Sequence, residues 1–214
     1  MKDLVEKFIA TDLYPVITPE LCAGRSPLIV LEETLKGGAK IVQLRAKENT
    51  KEYAPDFRKI TQQYGALLII NDFVELALKY GADGVHLGLA DLSIAAARRL
   101  APALLIGASS HNLEEALTAQ EAGADYVNIG PIFPTQTKNV VGQVVGVSAI
   151  KEISSQLKIP FTVMGGIKKS NINEVLAAGA GHIAMVTEIT QAGDVKGITR
   201  ELISAIRDWQ DPVL

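Results

Sequence analysis

The chain carries a single cysteine, Cys22, among 214 residues. One thiol cannot close an internal disulfide, so burial and hydrogen bonding must hold the fold, and a reducing, cytoplasmic setting is expected. Long apolar runs are missing too. None approaches the roughly 18 residues needed to cross a bilayer, and the opening MKDLVEKFIA reads as a short amphipathic helix rather than a basic, apolar leader. Nor is one charge in excess: 21 Lys and Arg against 24 Asp and Glu leave a formal charge of -3. That argues against nucleic acid or an anionic membrane as the main partner. Any anion site must be built locally. No G-x-G-x-x-G follows an early strand, which disfavours an open, doubly wound dinucleotide-binding sheet.

What is present is apolar: 48% of the chain is hydrophobic, enough for one domain spanning 1–214 with a substantial core. Runs of Val, Ile and Leu near 14–18, 40–45, 66–71, 83–87, 104–108, 125–130, 160–164 and 181–186 predict eight strands. Helical spacing fills the intervals near 27–37, 50–64, 73–80, 93–100, 112–122, 148–157, 170–178 and 194–209. A weak repeat supports the count: GGAKIVQL, YGADGVHL, AGADYVNI and AGAGHIAM each pass from a helix-ending glycine into a strand. Continuous rather than alternating apolar strands are those covered on both faces. A (β/α)8 TIM barrel with a short N-terminal helix follows.

In such barrels the working residues lie at the carboxyl ends of the strands. There the chain places Gln43, Arg45 and Lys47, spaced by two at the end of strand 2 and suited to a multiply charged anion. Strand 3 ends in Asn71 and Asp72, and the loop after strand 4 carries Asp91; two carboxylates from adjacent loops are hard oxygen ligands of the kind Mg2+ takes beside substrate phosphate. Helix capping is the competing explanation for both. His86 is expected to pack within its strand. Ser109, Ser110 and His111 precede a helix, where the serines could be simple caps. Strand 6 ends in GPIFPTQTKN, in which Gly130 suggests close approach of a ligand and Thr135, Thr137 and Lys138 present hydroxyls and a cation. Gly165 and Gly166 after strand 7, with Val186 and Thr187 after strand 8, suit a phosphate held by backbone N–H groups. Two anion sites on one mouth imply two phosphorylated small-molecule ligands. The sequence leaves a homo-oligomer open.

Taken in order, QLRAK at 43–47, IND at 70–72, GVHLGLADL at 84–92, GASSH at 107–111, GADYVNIGPIFPTQTK at 123–138 and GGI at 165–167 resemble the thiamine phosphate synthase family over nearly the whole chain. The resemblance implies a Mg2+-dependent transferase of thiamine biosynthesis. Such an enzyme joins 4-amino-2-methyl-5-hydroxymethylpyrimidine diphosphate to 4-methyl-5-(2-phosphoethyl)thiazole, releasing pyrophosphate by a dissociative route. It implies Gln43, Arg45, Lys47, Asn71, Ser109 and Lys138 on the pyrimidine diphosphate, with Ser109 and Lys138 catalytic; Asp72 and Asp91 on Mg2+; and Thr135, Gln136, Thr137, Gly166, Val186 and Thr187 on the thiazole phosphate. The chain departs from the family pattern at Leu89, at Gly181–His182 and at Thr187. Two other readings compete: a thiazole tautomerase of the same fold, with His111 as its base, and a non-catalytic regulatory barrel that binds thiamine intermediates.

Overall fold

The computed structural model describes residues 2–135 and 144–210. Eight parallel strands, β1 (Leu13–Ile17), β2 (Ile41–Leu44), β3 (Leu67–Asn71), β4 (Gly84–Leu87), β5 (Leu105–Ser110), β6 (Tyr126–Ile129), β7 (Phe161–Val163) and β8 (Ile183–Met185), close in sequence order. The ring is sealed where β1 pairs with β8, Leu13 opposite Ile183. Each strand falls within about two residues of its predicted place. The helices are α1 (Lys2–Ile9), α2 (Pro27–Lys36), α3 (Thr50–Tyr64), α4 (Val74–Lys79), α5 (Ile94–Leu100), α6 (Leu113–Glu121), α7 (Ser148–Ser154), α8 (Ile172–Ala177), α9 (Thr187–Thr190) and α10 (Val195–Gln210), of which α7 ends three residues before its predicted end. The four-residue α9 and a 3-10 turn at Pro19–Leu21 were not anticipated as helices. No helix among the described residues is long and apolar enough to cross a membrane.

Two cores account for the doubly apolar strands. Outward-facing residues such as Val42, Leu44, Leu68, Ile70, Val85 and Ile106 pack beneath the helices. Inward-facing Tyr14, Ile41, Leu67, Ile69, Leu105, Tyr126 and Ala184 fill the barrel. Phe8 of α1 closes the floor, fully buried, its ring stacked on Tyr126 at 4.3 Å between centroids. Gly107 makes room for that aromatic layer: a Cβ there would fall 2.1 Å from the Tyr126 ring.

The repeat seen in the sequence has a structural counterpart at the amino ends of the strands. Asp83 accepts the Leu68 N–H and the Arg58 guanidinium, and Asp125 accepts the Ile106 N–H and the Arg98 guanidinium. Each carboxylate thus ties a helix to two strands, on the face away from the mouth.

His182 lies on this lower face as well, its Nδ1 2.6 Å from the Thr11 carbonyl and its ring beside Phe8. This departure from the family pattern therefore does not bear on the mouth. Burial is the main influence and holds the imidazole below its ordinary value near 6.5, against the upward pull of the Thr11 carbonyl and Asp12. Because the unfolded chain binds this proton more readily, His182 leaves stability untouched above that ordinary value and lowers it as pH falls through it toward the depressed folded value. The melting temperature should drop between about pH 7 and pH 5, less steeply in His182→Gln; equal slopes would remove His182 as a source.

Candidate active site

β2 stops at Leu44, so strand alternation carries Gln43 into the barrel but does not extend to Lys47. Gln43 is buried and donates through its amide to the Tyr14 hydroxyl at 2.9 Å. Arg45 continues the ladder by one bond, its N–H on the Ile17 carbonyl, and Lys47 sits in the following turn. A spacing of two would set all three side chains on one side of a continued strand, and the turn at Lys47 breaks that alignment. Of the cations and the metal candidates, one of each shares a lining. Lys47 and Asp72 line one cavity of about 630 Å3 with Glu48, Thr50 and Phe73.

Asn71 pairs in register with His86 at the top of β3. The next residue, Asp72, turns into the left-handed region with φ of 66° and sends its N–H to the His86 carbonyl at 2.8 Å. Aspartate is one of the few residues besides glycine that takes up this conformation readily. Helix capping does not account for it: the N-cap of α4 is Phe73. Nor does capping account for Asp91, since Ser93 caps α5. Asp91 Oδ2 instead accepts the Gly88 N–H at 2.6 Å, bracing the loop after β4. Leu89 of that loop is exposed.

The two serines that end β5 are not caps either, because Asn112 caps α6 through the Glu115 N–H. Ser109 Oγ lies 3.1 Å from His86 Nε2, and Ser110 Oγ donates to the Asn128 carbonyl. His111 is tied to Glu115, which takes both its N–H and its ring Nδ1.

Of the loop after β6, Thr135 is described; Gln136, Thr137 and Lys138 lie outside the described residues. Gly130 is explained by backbone rather than by ligand, since a Cβ there would stand 2.4 Å from the Met164 carbonyl oxygen. Gly165 and Gly166, at φ of 102° and 63°, press against the same loop: a Cβ on Gly166 would meet the Pro134 carbonyl at 2.5 Å. Ile132 and Phe133 donate their N–H groups to Met164 and Gly165. The loops after β6 and β7 are thus one surface, and Thr135 and Gly166 are brought together on it.

Val186 and Thr187 open α9. The far end of that short helix is clasped by Arg25 of the loop after β1, which donates to the carbonyls of Thr190 and Ala192 at 2.7 and 2.8 Å. Cys22 in the same loop is buried, and burial pushes its thiol up to about 11, which keeps it protonated and unreactive at neutral pH. Sequence reasoning missed Arg25, Tyr14 and Tyr126; a single cation in a loop and aromatics within apolar strands carry no distinguishing pattern.

Asp72 follows β3 and Asp91 lies in the loop after β4, so the two carboxylates come from neighbouring strands at the same end of the barrel. Among the described residues no group of three or more His, Cys, Asp or Glu side chains could hold an ion unaided, and Mg2+ bound through substrate phosphate needs only one or two carboxylates.

Comparison with known proteins agrees with this geometry. A thiamine-phosphate synthase from Shouchella clausii is 42% identical over 201 residues, covering 92% of this chain and 96% of that one. One from Pyrococcus horikoshii is 40% identical over 97% of both chains. The solved thiamine phosphate pyrophosphorylase from Pyrococcus furiosus superposes with a TM-score of 0.86 at 36% identity, covering 94% of this chain and 98% of that chain. A 3-hexulose-6-phosphate synthase, at 20% identity and a TM-score of 0.69, shares the fold alone. With the thiamine monophosphate synthase family model matching residues 13–189, over the same strand ends that carry the mouth, the chain belongs to the thiamine monophosphate synthase family.

Proposed function

We infer that the protein is a thiamine-phosphate synthase, a transferase that condenses the pyrimidine diphosphate with the thiazole phosphate and releases pyrophosphate. The observation that carries this reading is the meeting of Lys47 and Asp72 at one cavity, in a chain whose relatives are named for that activity.

Arg45, Lys47 and, from its place in the sequence, Lys138 bind the diphosphate, while Gln43, Asn71 and Ser109 hold the pyrimidine. Thr135, Gln136, Thr137, Gly166, Val186 and Thr187 receive the thiazole phosphate through hydroxyls and backbone N–H groups. Asp72 and Asp91 would hold Mg2+, which when bound supplies positive charge to the diphosphate oxygens. In the reaction the bond between the pyrimidine methylene carbon and the diphosphate oxygen breaks, and its electron pair leaves with pyrophosphate. The thiazole nitrogen then attacks the resulting cation. The side chains need only orient two ligands and stabilise charge on the leaving group, so no nucleophilic residue or Ser/His/Asp set is required.

The test is pyrophosphate release from both substrates together, with each substrate and Mg2+ omitted in turn. Release that needs all three, with thiamine phosphate appearing, is the expected result. Release without the thiazole phosphate, or none with all components present, would overturn the assignment. Neither the tautomerase nor the regulatory barrel is supported by the relatives, and His111, the isomerase base candidate, is engaged by Glu115.

A further inference from the structure

Inside the barrel, five side chains from five strands form one continuous run of hydrogen bonds. The Gln43 amide nitrogen of β2 donates to the Tyr14 hydroxyl of β1 at 2.9 Å, and that hydroxyl lies 3.0 Å from the Tyr126 hydroxyl of β6. Tyr126 is 3.2 Å from His86 Nδ1 of β4, and His86 Nε2 is 3.1 Å from Ser109 Oγ of β5. The two ends are residues assigned above to the pyrimidine. Tyr14, Tyr126 and His86, the inner three, are all buried, with 1%, 0% and 6% of their surface exposed.

A buried hydroxyl is costly unless its proton meets an acceptor, and that condition orders the whole run. Tyr14 already receives the Gln43 N–H, so its own proton goes on to Tyr126, and the Tyr126 proton goes on to His86 Nδ1. His86 then carries its proton on Nε2 and donates it to Ser109 Oγ. Ser109, as acceptor, turns its own O–H out of the run. The opposite order requires the Gln43 amide to be reversed, His86 to be protonated on Nδ1 and Ser109 to donate inward. With a neutral imidazole, any mixed order sets two donors or two acceptors face to face or leaves a buried proton without an acceptor.

We propose that Tyr14, Tyr126 and His86 are positioning residues that lock the hydrogen-bonding character of the two ends to one another, so that Gln43 offers its amide carbonyl as an acceptor while Ser109 offers its hydroxyl as a donor. An aminopyrimidine supplies both complements, an exocyclic N–H donor and a ring-nitrogen acceptor. A pyrimidinone in its place presents the reverse, a carbonyl and a ring N–H. The barrel interior thereby selects the amino over the oxo form of the ring. This rests on the assignment of the pyrimidine diphosphate to Gln43 and Ser109.

The first measurement is independent of substrate: nitrogen NMR of the full chain with labelled histidine at about pH 8, above the ordinary histidine range. The chain has three histidines, so His111→Gln and His182→Gln assign the signals. His86 should show a protonated Nε2 and an unprotonated Nδ1, and Tyr126→Phe should mix or invert that tautomer. Tyr14→Phe, which leaves the Tyr126–His86 link in place, should preserve it. The second measurement is competitive inhibition by the diphosphates of the amino and oxo rings. Wild type should favour the amino form by about tenfold or more, and both tyrosine variants should lose most of that preference, the scale of one hydrogen bond misdirected. KM for the thiazole phosphate should be unchanged. A proton on Nδ1 in wild type, a tautomer unmoved in Tyr126→Phe, or equal ring preference in all three proteins would overturn the proposal. The expected tautomer shift in a protein that makes no thiamine phosphate would instead sink the assigned activity and leave the relay standing.

Discussion

Asp72→Asn is expected to slow turnover by about 100-fold or more, the scale of removing one group that stabilises transition-state charge, while leaving the fold intact. Asparagine is the informative replacement because of the backbone. Asp72 sits at φ of 66°, a conformation that asparagine tolerates nearly as well as aspartate and most other residues do not. The change therefore removes a negative charge and keeps the turn, including the N–H to the His86 carbonyl. Steady-state rates across a Mg2+ titration, with a thermal melt as control, provide the check. The apparent Mg2+ requirement should rise together with the loss of rate, and the melting temperature should barely move. A near-normal rate at low Mg2+ would remove Asp72 from the proposed ion site. A large drop in melting temperature would instead show that the carboxylate holds the loop.

Phe8→Ala is expected to destabilise the chain by about 3–5 kcal/mol, the range for deleting a fully buried aromatic ring. The ring stacks on Tyr126, meets Tyr14 edge-on at 6.4 Å between centroids and lies 5.5 Å from His182, so its loss leaves a void under the whole inner layer. Chemical denaturation measures the difference. The preference for the amino over the oxo ring should fall as well, because the Phe8 ring packs on Tyr14 and Tyr126 of the hydrogen-bonded run. A loss under about 1 kcal/mol would mean that α1 fills the floor by some other contact.

The eight strands were legible because parallel strands buried on both faces read as unbroken apolar runs, and several helix ends because a glycine marks them; the caps were not, since Ser93 and Asn112 hold the positions the sequence offered to Asp91 and the Ser109–Ser110 pair. The same unbroken runs hid the interior. When both faces are apolar, alternation gives no sign of which residues point inward, so Tyr14 and Tyr126 looked like ordinary strand residues and His86 like a packing histidine. His86 does pack within its strand, but with both ring nitrogens engaged. Phe8 looked like one more apolar residue of a surface helix. Polar residues at the strand ends stood out against the apolar runs, which is why Gln43, Asn71, Asp72 and Ser109 could be picked out. Their surroundings could not: the left-handed turn at Asp72 and the bracing of Asp91 by Gly88 depend on loop geometry that spacing does not encode.

The seam between the loops after β6 and β7 limits how this barrel could exchange parts with its relatives. Gly165 and Gly166 have no space for a side chain against Pro131 and Pro134, and the backbone of one loop is bonded to that of the other. A chimaera that borrows one of the two loops would meet a mismatched partner across the seam. The pair is therefore the smallest segment that can be transplanted, although some thirty residues and a whole helix separate its halves in the chain.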